Sequence, residues 1–106
     1  MSTHDQDDER EFEEDAKANN GKVRVTVTYV NTTESETFRM PRTATLTEVF
    51  DKAYELLGET RRPADKFFCK GGLDLAESLP LTLEELQRRK ICRKRDYEIA
   101  GETGGA

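Results

Sequence analysis

Almost all of the aliphatic and aromatic residues lie beyond Gly21, so this chain of 106 residues can build one hydrophobic core and must build it from the residues after that glycine. Residues 1 to 20 carry Asp5, Asp7, Asp8, Glu9, Glu11, Glu13, Glu14 and Asp15 against Arg10 and Lys17, a net charge of −6. The whole chain is −5, which leaves +1 for the remainder. A segment with that much like charge, and only Phe12 as a large ring, buries too little surface to offset the entropy of ordering. The expectation is a disordered acidic tail over 1–21, a single domain over 22–100, and a flexible end over 101–106.

The segment after Gly21 begins Lys22-Val-Arg-Val-Thr-Val-Thr-Tyr-Val30, where Val23, Val25, Val27 and Tyr29 alternate with polar residues. Period two with β-branched side chains predicts a strand with one wet face. Asn31 to Ser35 supplies turn chemistry, and Phe38 and Met40 resume the alternation up to Pro41, completing a hairpin. Thr45-Leu-Thr-Glu48 is a capping box that starts a helix, with Leu46, Val49, Phe50, Ala53, Tyr54, Leu56 and Leu57 as its apolar face and Gly58 as its terminator. Lys66-Phe-Phe-Cys-Lys70 reads as a short strand stopped by Gly71-Gly72. A second capping box, Thr82-Leu-Glu-Glu85, opens a short helix, and Asp96-Tyr-Glu-Ile-Ala100 alternates as a last strand with Tyr97 and Ile99 inward.

A hairpin, a three-turn helix, a short strand, a leucine-bearing turn and a closing strand in this order give an α+β class. The Lys66-Phe-Phe-Cys-Lys-Gly-Gly72 strand and turn, then Leu83, Ile91, and a closing strand followed by Gly104-Gly105, resemble the ubiquitin-like family over roughly residues 22 to 105. The resemblance implies a β-grasp fold, a mixed sheet packed on one main helix. It also implies a protein modifier conjugated through its C-terminal di-glycine. Gly105 would be adenylated by an activating enzyme, passed through a conjugating enzyme, and joined by an isopeptide bond to a target protein. An extended tail lacking side chains can thread a narrow active site, and glycine leaves the reacting carbonyl unhindered. Ala106 follows Gly105, so either a processing peptidase removes it, as is usual for precursors in the family, or the tail is not a conjugation tail. The preceding Ala100-Gly-Glu-Thr103 is small and acidic where ubiquitin is basic and leucine-rich, so a reader of ubiquitin's own tail should not read this one. Alternatives from the same resemblance are a non-covalent β-grasp interaction module and a sulfur carrier.

Alternation across the short strand sends Phe67 and Cys69 to one face and Phe68 to the other. The resemblance to the ubiquitin-like family, in which partner domains grip the outer face of this strand, makes Phe68, with Lys66 and Lys70 beside it, the candidate partner patch. The run Arg88-Arg-Lys-Ile-Cys-Arg-Lys-Arg95 holds six basic residues in eight, and Arg88, Arg89 and Arg93 are its candidate docking residues for an acidic partner groove. Nucleic acid is disfavoured, because the basic run has no aromatic stacking pair and the acidic segment competes for it. None of this chemistry requires a catalytic residue or a cofactor, and His4, the sole histidine, offers no metal site. The chain has no apolar run of membrane-spanning length and no signal-like start, so the expectation is a cytoplasmic monomer. A reducing compartment would keep Cys69 and Cys92 as thiols.

Overall fold

A computed structural model describes residues 3–101, with side chains from residue 9 onward. The alternating valines form strand β1 (Lys22–Tyr29), with Val23, Val25, Val27 and Tyr29 essentially inaccessible. Strand β2 (Glu34–Pro41) returns antiparallel to it with Val25 opposite Phe38 and Tyr29 opposite Glu34. Strand β3 (Lys66–Cys69) lies at the far edge, and β4 (Asp96–Ala100) runs between β1 and β3, parallel to the first and antiparallel to the second. The sheet order is thus β2-β1-β4-β3, a mixed four-stranded sheet.

Helix α2 (Leu46–Leu57) covers the inner face of this sheet. Its Thr45–Glu48 capping box is formed, and Gly58 closes it at φ 70°, a left-handed backbone that a glycine adopts without a Cβ penalty. Leu46, Val49, Phe50, Ala53 and Tyr54 are buried, whereas Leu56 is 40% exposed and Leu57 is half-buried. Leu56 falls beside the 46-49-50-53-54-57 stripe, so the apolar face expected from sequence was one residue too wide. Phe50 packs its ring 4.3 Å from that of Phe67 and 5.9 Å from that of Tyr97, joining α2 to β3 and β4. After a 3-10 turn (Ala76–Ser78), helix α3 (Leu83–Arg88) adds Leu83 and Leu86 to the same core.

The acidic segment expected to be a disordered tail is instead helix α1 (Thr3–Ala18). Phe12 and Ala16 are each 1% exposed and belong to the core. Guanidinium groups of Arg42 and Arg95 lie over the Phe12 ring, 5.4 and 5.2 Å from its centroid. Glu13 and Asp15 meet Arg42 and Arg39 at 2.7 and 2.6 Å. Composition alone counts repulsion within the segment and misses these cations, which the fold brings in from β2, the loop after it and the residue before β4. No helix among the described residues is long and apolar enough to cross a membrane.

Candidate functional site

Three places hold the residues singled out from sequence. The first is the outer face of β3. Strand alternation buries Phe67 (4%) and Cys69 (7%) and turns Phe68 outward, half-buried, between exposed Lys66 and Lys70. Phe68 stands opposite Glu98 of β4, and Lys66 opposite Ala100. Farther across the same face, Thr28 meets Ser35 and Thr26 meets Thr37 through hydroxyl pairs at 2.7 and 3.0 Å. Phe68 is therefore an aromatic ring at one edge of an otherwise polar face.

The second place is a cleft of about 480 Å³ between the β3 turn and the loop after α3. Lys70 and Arg93 meet there, together with Lys90, Lys94, Asp96 and the exposed Leu73. The basic run thus divides. Arg88 ends α3 on the other side, near Phe12 and Glu84, and Arg89 is the α3 cap. Arg95 is 8% exposed, donates from Nε to the Arg24 carbonyl at 2.9 Å and stacks on Phe12, so it is structural. Cys69 and Cys92 are joined as a disulfide across this cleft, their Cα atoms 5.4 Å apart, which corrects the expectation of two thiols. Their separation of 23 residues gave no sign of it, because only the return of the chain after α3 brings Cys92 beside β3.

The third place is the exit from β4. The buried Asp65 carboxylate accepts from Tyr54 Oη at 2.6 Å, from the Arg62 amide at 3.1 Å and, at the limit of 3.5 Å, from Tyr29 Oη. Burial, with the adjoining carboxylate, pushes both phenols above their ordinary value of 10.0. Gly101 leans on this cluster, and its amide donates to Asn31 Oδ1 at 3.3 Å. A Cβ on Gly101 would stand 2.8 Å from Asp65 Oδ1 and 3.0 Å from Asn31 Nδ2, so a side chain there would require the Asp65 or Asn31 side chain to give way. Composition gave no hint of this cluster, since a lone Asp among loop residues is ordinary. Gly104, Gly105 and Ala106 lie outside the described residues.

No family model matches this chain, and no curated protein matches it.

Proposed function

We propose that the chain is a protein modifier of the ubiquitin-like kind, joined to targets through Gly105 after removal of Ala106. The sheet order and helix α2 across the inner face are compatible with a β-grasp. The observation that carries the reading is the exit from β4. That strand is paired on both sides, and the chain leaves it through Gly101, held against Asp65, Asn31 and Tyr29. A tail handed between enzymes needs such a fixed root, so that the domain carries it in one direction while the residues beyond remain able to thread an active site. The modifier itself supplies no catalytic group in this scheme. An adenylating enzyme, a conjugating enzyme and a peptidase act on it.

Mass spectrometry of the protein from its native cell tests this. Trypsin cleaves after Arg95, so an attached copy should leave residues 96–105 on a target lysine. Finding that remnant, together with chains ending at Gly105, is the expected result. Only intact chains ending at Ala106, with no such remnant, would instead favour a non-covalent docking module. Phe68 on the polar outer face, flanked by Lys66 and Lys70, supports that second reading.

A further inference from the structure

Helix α1 lies in a seat on the body of the domain that matches it side chain by side chain. Of its described side chains only Phe12 and Ala16, one turn apart on the same face, are buried. Arg24, Arg39 and Arg95 flank it along Glu11, Glu14 and Asp15, while Arg42 and Arg88 flank it along Glu9 and Glu13. These five arginines come from β1, β2, the loop after it, α3 and the residue before β4. Two of them, Arg42 and Arg95, lie over the Phe12 ring, and Arg39 and Arg42 pair with Asp15 and Glu13. Glu84 is the body's own carboxylate there, 3.0 Å from Arg42. What holds the helix is thus two buried side chains, partly exposed ion pairs and the Arg24 amide on Asp15. A lone helix of this length and like charge is marginal in water. It joins β1 through Asn19, Asn20 and Gly21, the last two in left-handed backbone at φ 57° and 82°. An element with so few buried contacts, on so short a joint, opens as a unit before the core does.

We propose that this seat is a docking site for an acidic amphipathic helix of another protein, and that α1 fills it in cis as an autoinhibitory helix. Such docking is independent of what happens at Gly105. The side chains that fit the seat define the partner: an aromatic ring, carboxylates one and three positions later, and a small residue at the fourth, as in Phe12, Glu13, Asp15 and Ala16. The arginines alone would suit a phosphate backbone equally well, because a planar guanidinium pairs with either anion. The place of the Phe12 ring decides between them. It belongs to the hydrophobic core, where the polar edge of a base would lose its hydrogen bonds to water. Because the cis helix must leave first, a partner's apparent affinity scales with the fraction of chains that are open.

A labelled peptide of residues 3–20 is the probe, titrated by fluorescence anisotropy into full chains first shown to be folded by circular dichroism. The Phe12→Ala chain loses the ring that holds its own helix, and should bind the peptide at least about tenfold more tightly than the wild type does. The Glu13→Ala/Asp15→Ala chain keeps the ring, and therefore the core, and should bind the peptide at least about threefold more tightly. Adding Arg39→Glu/Arg42→Glu to either chain should weaken binding about tenfold or more. A peptide carrying Phe12→Ala should not bind, and oligothymidylate of comparable charge should not displace the parent peptide. The proposal is overturned if the folded variants bind the peptide no better than the wild type, if the ring-less peptide binds as well as its parent, or if oligothymidylate displaces it. A wild-type chain that sediments as a dimer, and that Phe12→Ala turns into a monomer, also overturns it by giving the seat to a second copy of this chain.

Discussion

Two buried tyrosines show how one hydroxyl can stabilise a fold while another does not. Tyr54 Oη donates to Asp65 at 2.6 Å, in a cluster where the carboxylate has few alternatives to it. Tyr97 is 1% exposed, packs its ring on Phe50, and its hydroxyl finds no partner among the described residues. Burial pushes that phenol's ionisation well above its ordinary 10.0, so it stays neutral. Removing the oxygen from each should therefore have opposite signs. Tyr54→Phe leaves a buried acceptor short and should cost about 1–3 kcal/mol, whereas Tyr97→Phe removes an unsatisfied group and should leave stability unchanged or raise it by about 1 kcal/mol. Urea denaturation with equal slopes for the three proteins checks this. A loss above about 1 kcal/mol for Tyr97→Phe would mean that its hydroxyl is satisfied.

At the scale of elements, the starts of α2 and α3 form one unit. Thr45 bridges Thr82, the Leu46 amide donates to the Leu81 carbonyl, and the Leu83 amide to the Ala44 carbonyl, each at 2.9 Å. Both capping boxes therefore stand side by side, with Thr82 accepting from the Glu85 amide at 3.2 Å while Glu85 accepts from the Thr82 amide at 3.1 Å. Hydrogen bonds from the Thr82 amide, then from its hydroxyl, hold the Glu85 carboxyl below its ordinary 4.5. A carboxyl with a depressed folded value stabilises above its unfolded value and loses that contribution as pH falls through the folded one. Thr82→Ala should cost about 1 kcal/mol near neutral pH by removing the cap, whereas Glu85→Gln, which cannot ionise, should flatten the loss of stability below pH 4.5. An undiminished acid slope in Glu85→Gln would assign that loss to other carboxylates. These boxes, β1 and the α2 stripe were legible in sequence because each is a pattern within one turn or one strand. The Cys69–Cys92 link, the Asp65 cluster and the burial of Arg95 were not, because each is made by residues far apart in the chain that only the finished sheet brings together.

For the molecule as a whole, the acidic first segment closes through α1 onto cations supplied by the rest of the chain. Asp15 carries this contact. Burial works to raise its ionisation, but the Arg24 amide at 2.8 Å and the Arg39 guanidinium outweigh burial and hold it below 3.8, aided by the Arg95 charge. Two kinds of force then compete to explain why α1 docks. Partly exposed pairs such as Arg39–Asp15 and Arg42–Glu13 are each worth up to about 1 kcal/mol and weaken in salt. Burying Phe12 is worth more, since truncating a core phenylalanine to alanine costs about 3–5 kcal/mol. Phe12→Ala in the full chain, and deletion of residues 1–20, should each lower the melting temperature by at least about 10 °C, because about 1 kcal/mol shifts a domain of this size by about 4–8 °C. Most of that difference should survive 1 M salt, which removes the charge contribution and leaves the ring. A deletion that changes melting by less than about 3 °C would show that the acidic segment does not pack on the domain in solution. A large drop that vanishes in salt would give the ion pairs, not Phe12, as the reason it docks.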